Sequence, residues 1–443
     1  MKEEKFTFID LFAGLGGFHL AMEALGGKCV FASELKEDLR ELYKINFPQT
    51  ETIVGDITLD ENINNVPKHD VLCAGFPCQP FSQAGKRQGF KDKKARGTMF
   101  DYICKIIETH KPKYIFLENV ANLKGHNKGK TWKTIQKKMD ALEYNIHEAI
   151  LSPHQFDIPQ HRKRIYIVGK RRNSVDEIFK FDFPSPDAKP NGKTIHDIID
   201  EKDANYMPIK DSTREQLSLW QEFLDKTIQN GEAIPRFPIW AMEFGATYFF
   251  EDEAPAHQSL EKLQGKKGHL GKSIDGKTKK ECLAMLPIYA QKSKKKSFPK
   301  WKIIYIQKNR DFYDRNKKWL DPWLKKVKDQ ANSFLKFEWN CGNSNPTIND
   351  KIVQFRASGI RVKLATYSPA LNLVGTQIPI FPWIPLPNSN QNGRYMTVKE
   401  AARLQGMEKL KLSKLTNSRI YEALGNAVNV RIVKKIAERL LKS

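Results

Sequence analysis

The sequence predicts an α/β fold: a mostly parallel, doubly wound sheet into which a second, smaller domain is inserted. Three observations predict it. Short apolar runs alternate with helical patterns over roughly the first 170 residues, and the first run ends in a glycine-rich turn. The rhythm then stops after about Pro186 and returns near residue 394.

Each element follows from its residues. "FTFIDLF" (Phe6–Phe12) is a buried strand that runs into "AGLGG", and "FHLAMEALGG" opens the first helix. "KCVFAS" (Lys28–Ser33) is the second strand, followed by the helix "ELKEDLRELYKINF", which Pro48 stops. "TIVGDI" is the third strand, "DVLCAGF" (Asp70–Phe76) the fourth and "KYIFLENV" (Lys113–Val120) the fifth, with the helix "TMFDYICKIIETH" between the last two. "YNIHEAIL" and "RKRIYIVGK" complete the sheet. Between Pro186 and Gly393 come lysine clusters, prolines and seven of the eight tryptophans, without a βαβ rhythm. "MTVKEAARLQGM" and "YEALGNAVNVRIVKKIAERLLKS" restore the regular pattern, the latter ending in an amphipathic helix. The domains are therefore expected at 1–185, 186–393 and 394–443, the last completing the first.

Composition narrows the function classes. Hydrophobic residues make up 40% and aromatic residues 11%, which suits a folded domain. No run of 18 apolar residues occurs, and the N-terminus lacks the features of a secretory signal, so a cytoplasmic protein is expected. Six scattered cysteines without a C-x-x-C pair argue against a disulfide framework and a zinc site. A net charge of +23 favours an anionic polymer as partner, although a merely lysine-rich surface gives the same number.

Ligands of such sheets bind at the carboxyl ends of the strands. There the glycines of "DLFAGLGG" (Asp10–Gly17) permit close approach to the backbone, which a tight structural turn also requires. Glu34, about 20 residues on, can accept from ribose hydroxyls, and Asp56 from an exocyclic amine; together they describe a nucleoside pocket. Neither a G-x-G-x-x-G fingerprint nor a G-K-[ST] phosphate loop is present. Cys78, in "GFPCQPFSQAGKRQGF", lies just after a strand end and beside a proline, which suits a nucleophile; most cysteines are simply small buried hydrophobes. Glu118 of "ENV" ends the neighbouring strand, and Gln-x-Arg-x-Arg points Arg162 and Arg164 to one face.

These ordered stretches, with "GDI", "RYMTVKEAARLQG" and "LGNAV", resemble the DNA (cytosine-5)-methyltransferases of the single-chain bacterial restriction–modification type. The resemblance covers roughly residues 6–170 and 394–435. It implies the class I S-adenosylmethionine-dependent methyltransferase fold, with the insertion as target-recognition domain. It also implies S-adenosylmethionine as methyl donor, S-adenosylhomocysteine as product, and no metal. The implied cofactor pocket comprises Phe12, Ala13, Gly14, Leu15, Gly16, Gly17, Glu34, Asp56, Ile57, Pro77, Met99, Asn426 and Val428. Cys78 is the implied nucleophile at C6 of cytosine and Glu118 the partner of N3, while Arg162 and Arg164 orient the site and contact the base or its phosphate.

A base inside a duplex cannot present C6, so the target must be flipped out of double-stranded DNA. The loop Ser82–Gly97 then reads as a lid, with Ser82, Lys86, Arg87 and Arg96 at the DNA. In the insertion, Arg356, Arg361 and Lys363 are expected on the DNA face; Trp301, Trp319, Trp323 and Trp339 are expected in the core. The expected partner beyond DNA is a cognate restriction endonuclease acting on the same site without a stable complex, the methylating protein being a monomer associated with the nucleoid. Three rivals stand beside this reading. One is the RNA-directed branch of the family and another a DNA-binding protein on a decayed scaffold. The third is an amino-methylating enzyme, which would carry Asp/Asn-Pro-Pro-aromatic where Pro-Cys-Gln stands.

Overall fold

The computed structural model describes residues 5–77, 99–174, 177–186, 192–371, 377–387 and 389–443. Two compact units emerge: Met1–Asp200 with Thr366–Gly375 and Thr397–Ser443, and Glu201–Ala365 with Thr376–Met396. Residues 186–200, read from the sequence as the start of the insertion, belong to the first unit. Ile195 N donates to Thr366 O at 2.9 Å, and Ser368–Pro369 pairs in parallel with Gln160–His161, which ties both stretches to that unit. Among the described residues no helix is long and apolar enough to cross a membrane.

The first unit is built on strands β1 (Phe6–Leu11), β2 (Gly27–Ser33), β3 (Ile53–Val54), β4 (Val71–Gly75), β5 (Tyr114–Val120), β6 (Tyr144–Leu151), β7 (Gln160–His161) and β8 (Arg164–Arg171). Seven of them form one sheet in the order β3-β2-β1-β4-β5-β8-β6. Only β8 runs against its neighbours, pairing antiparallel with β5 and β6. Central strands are covered on both faces, so they read as unbroken apolar runs such as "VLCA" and "YIFL". One face carries α1 (Gly17–Glu23) and the final helix Val430–Leu440, through Phe18, Met22, Ile432 and Ile436. The other carries α4 (Met99–His110) and α5 (Lys130–Ala141), through Ile103, Ile107, Ile135 and Met139. Helices α2 (Glu37–Asn46) and α3 (Asp60–Asn64) follow β2 and β3.

Two expected strands are shorter than the sequence implies. "TIVGDI" forms only Ile53–Val54, because Asp56 leaves the ladder to accept Thr58 N in a turn at 2.9 Å. "RKRIYIVGK" begins at Arg164, because the backbone N of Arg162 donates to Ser152 Oγ at 2.9 Å instead of to a strand.

The second unit is a six-stranded sheet, in the order Asn392–Tyr395, Ile380–Pro385, Lys351–Arg356, Gly359–Leu364, Lys336–Asn340 and Ile239–Trp240. All its pairings are antiparallel except that of Lys336–Asn340 with Gly359–Leu364. Its core gathers Trp220 and Phe223 from the helix Asp211–Gln229, and Phe312, Trp319 and Trp323 from the helix Lys300–Val327. Trp220 stacks on Phe337 at 4.6 Å. Trp319, Trp323 and Trp339 are buried, whereas Trp301 is 53% exposed and departs from the expected core set.

Candidate active site

The site gathers at the carboxyl ends of β1, β2, β4 and β5. After β1 the chain turns at Phe12 and Gly14, with φ of 58° and 55°, and at Gly16, with φ of 78°. The three glycines do different work. A Cβ on Gly16 would lie 2.3 Å from the Phe47 ring, and one on Gly17 would lie 2.6 Å from Val428 Cγ2. Both glycines therefore serve packing. At Gly14 none of the described residues lies within 4 Å of that position, so among them this is where the turn leaves room.

Glu34 locks the turn to the end of β2. Its Oε2 accepts from Gly14 N and its Oε1 from Lys36 N, each at 2.9 Å. Each carboxylate oxygen keeps a further lone pair for a ligand. Ala13 N donates to Ser33 O at 2.9 Å, so the main chain of the turn is held from the neighbouring strand. Ile57 is buried in the sheet's core and Phe12 packs against it, while Leu15 is also buried. Pro77 is exposed after β4, Met99 opens α4, and Asn426 is exposed at the end of the helix Asn417–Asn426. Val428, by contact with Gly17, reaches this turn from more than 400 residues away.

Cys78, Ser82, Lys86, Arg87 and Arg96 lie outside the described residues. What leads to Cys78 is described. Gly75 on β4 pairs with Glu118 on β5, three residues before the cysteine. Asn119 is buried and donates from Nδ2 to Phe76 O at 3.0 Å, holding the strand exit that continues into Pro77. Sequence reasoning passed over Asn119, although it sits inside the quoted "ENV"; a buried amide beside a site carboxylate is the signal that could have marked it.

Glu118 is 6% exposed. Its Oε1 lies 3.1 Å from Arg164 Nε, yet it has no aligned hydrogen-bond partner among the described residues. The contact is therefore charge proximity without a directed bond. Burial raises the Glu118 pKa above the usual 4.5, opposed by the charges of Arg164 and Arg162. A carboxyl in this state can hold a proton and donate it.

Arg162 and Arg164 part company. Arg162 is buried; its Nη1 donates to Gly425 O at 2.6 Å and its Nη2 to Ala427 O at 2.9 Å. Burial lowers its pKa to about 9, which leaves it charged at neutral pH. Both arginine charges thus act on Glu118, and Arg162 in addition grips the "LGNAV" turn. Gln405 Nε2, at the end of the helix Val398–Gln405, donates to Gln160 Oε1 at 3.1 Å, so the stretch that carries Arg162 is tied to this helix as well.

In the second unit, Arg356 Nη2 donates to Glu338 Oε1 at 2.8 Å and Arg361 Nε to Glu338 Oε2 at 2.9 Å. Both arginines expected on the DNA face share one internal carboxylate that sequence reading did not foresee. Lys363 is half-buried, and burial lowers its pKa. Among the described residues no group of three or more His, Cys, Asp or Glu side chains could hold a metal ion.

Comparison with known proteins bears on this arrangement. Residues 6–442 match the family model "C-5 cytosine-specific DNA methylase". Type II methyltransferase M.HpaII of Haemophilus parainfluenzae is 50% identical over 202 residues, covering 45% of this chain and 54% of the relative. M.HhaI of Haemophilus parahaemolyticus is 41% identical over 215 residues, 46% of this chain and 64% of the relative. The chain thus spans little more than half the length of these relatives. M.AluI of Cellulosimicrobium cellulans is similar over 98% of this chain and 91% of its own length, at 29% identity. A crystal structure of a putative DNA modification methyltransferase encoded within an E. coli prophage has the same fold, with a TM-score of 0.52, 16% identity and coverage of 99% and 100%.

Proposed function

Because this chain belongs to the C-5 cytosine-specific DNA methylases, we propose that it transfers a methyl group from S-adenosylmethionine to C5 of a flipped cytosine in duplex DNA. The fold is that of the class I S-adenosylmethionine-dependent methyltransferases, and the second unit is the target-recognition part. One observation carries the reading furthest: a buried carboxyl of raised pKa, Glu118, paired across the sheet with Gly75 three residues before Cys78.

C5 of cytosine is a poor nucleophile until the ring loses its aromaticity. Addition of the Cys78 thiolate to C6 makes C5 an enamine carbon. Negative charge then develops toward N3, where the Glu118 proton stabilises it. Arg164 sets the charge beside Glu118, and Asn119 holds the strand exit that carries Cys78. Once C5 carries the methyl group, loss of the C5 proton, return of the N3 proton to Glu118 and expulsion of the cysteine thiolate close the cycle.

The residues present fit the methyl donor. Gly14 has no described residue within 4 Å of where a Cβ would lie, and Glu34 retains lone pairs for ribose hydroxyls at the end of β2. Phe12, Asp56, Ile57, Pro77, Met99, Asn426 and Val428 complete the proposed pocket. Bound there, S-adenosylmethionine supplies an electrophilic methyl group. The reading carries with it duplex DNA as substrate, no metal, a monomeric enzyme, and a restriction endonuclease that cuts the same site without a stable complex. It sets the enzyme in the bacterial cytoplasm, on the nucleoid.

Two assays test it. Tritium from labelled S-adenosylmethionine should enter duplex DNA, and label appearing only in transfer RNA would reject the reading. A duplex with 5-fluorocytosine at the modified position, located by bisulfite sequencing, should trap the protein covalently through Cys78.

A further inference from the structure

We propose that the lysine-rich face around the start of the helix Lys300–Val327 grips the phosphates of duplex DNA that flank the methylated site, without reading bases. Between Met285 and Arg310 the chain carries seven lysines and one arginine and no acid. The acids that bound this stretch are committed elsewhere. Glu281 accepts from Lys277 N at 2.8 Å and Thr278 N at 3.2 Å, and Asp311 Oδ1 accepts from Gln307 Nε2 at 2.7 Å.

An exposed lysine run alone is an ordinary solvated surface. The half-buried pair beside it is not. Lys302 Nζ lies 5.1 Å and Lys336 Nζ 5.8 Å from the centre of the same Tyr289 ring. Lys302 Nζ also lies 4.5 Å from the Phe298 ring centre, and Lys336 Nζ 5.7 Å from that of Trp240. Neither lysine has an ion pair among the described residues. Glu243 accepts from the Tyr289 hydroxyl, but Arg310 already neutralises it.

Burial lowers the pKa of both lysines, and the charge of Lys336 lowers that of Lys302 further. Two like charges drawn partly out of water onto one ring are a cost, which a bound phosphate offsets. Lys300 and Lys302 also stand in the first turn of their helix, which holds no acid; positive charge there opposes the helix dipole. The exposure of Trp301 has its reason here: Lys302 Nζ lies 5.9 Å from its ring centre, so the indole serves the lysine rather than the core.

The face continues along the sheet. Lys336 shares a face of its strand with Glu338, two residues on, where Arg356 and Arg361 bring two positive charges to one carboxylate. One positive charge is left in excess there, and the unpaired lysines carry the rest. Ammonium groups meet phosphate as point charges, which suits a backbone of any sequence. Duplex DNA as the partner rests on the methyl-transfer reading, but the test needs no methyl transfer, so the two can fail separately.

Fluorescence anisotropy of the full chain with a duplex containing the methylated site and one lacking it, over a range of salt, tests the proposal. Lys292→Gln, Lys294→Gln, Lys295→Gln and Lys300→Gln combined, all at exposed positions, should weaken binding to both duplexes by about tenfold. The slope of log Kd against log salt should flatten by about 2–4. Lys302→Met with Lys336→Met keeps the stems on the rings and should flatten it by about 1–2. The ratio of the two affinities should stay as in the parent. Slopes unaltered in both variants would overturn the proposal. So would a lost preference for the site at an unaltered slope, which marks base contacts. Competition by polyglutamate as strong as by the site-free duplex marks an acidic protein partner and would overturn it too.

Discussion

Each unit holds a buried glutamate beside an arginine, and the two pairs are built for opposite ends. Glu243 in the second unit is saturated: two tyrosine hydroxyls and a two-pronged arginine occupy its oxygens. Glu118 in the first unit lies near Arg164 but keeps an oxygen without a hydrogen-bond partner among the described residues. A fully bonded carboxylate is a structural joint, because removing it strands every group bonded to it. An under-bonded one costs stability and gains chemistry, since its proton can move.

Substitution should separate the pairs cleanly. Glu118→Gln should lower the methylation rate by about 10²- to 10⁴-fold, measured by tritium transfer, without lowering the melting temperature. The sign follows from linkage. Because the Glu118 pKa is raised, its contribution to stability is fully present below the ordinary carboxyl value of 4.5 and is lost as pH rises through the raised value. Above that value the glutamine variant should melt no lower than the parent, and a clear drop would make Glu118 a joint like Glu243. Glu243→Ala should do the reverse. Stranding Arg310 should cost about 3–5 kcal/mol in denaturant unfolding, and a variant that melts like the parent would dissolve the contrast.

Smaller effects sharpen it. Arg162→Lys should weaken S-adenosylmethionine binding by about tenfold, because a single ammonium nitrogen does not reproduce the two-nitrogen fork that holds Gly425 O and Ala427 O. DNA affinity should stay unchanged; weakened DNA binding with intact cofactor affinity would return Arg162 to the phosphate backbone. Arg164→Gln should move the Glu118 limb of the pH–rate profile upward, since a charge that lowers that pKa is removed. A profile that stays put would show that the ion pair does not tune the carboxyl.

Legibility followed sequence distance. The strand-end placement of Gly14, Glu34 and Glu118 could be read from apolar runs ending in turns, because a parallel sheet collects its sites at one edge. The fate of Arg162 could not, since its acceptors lie 263 and 265 residues away. The same holds for Arg356 and Arg361: periodicity marks a strand, but only folding reveals that Glu338 sits between them. The second unit's sheet escaped pattern reading because it joins remote pieces, such as Ile239 to Phe337. Trp301 was misplaced because a tryptophan count does not say which side of a long helix faces inward.

The layer formed by Val430–Leu440 has a consequence for biosynthesis. The apolar surface it covers, including Phe18 and Met22, emerges from the ribosome with the first unit, but its cover is made only after the whole insertion has been translated. At about 5–20 residues per second, that leaves the surface bare for roughly 10–50 s. A nascent chain of this design should lean on holding chaperones during that interval, and shortening the insertion should lessen its tendency to aggregate as it is made.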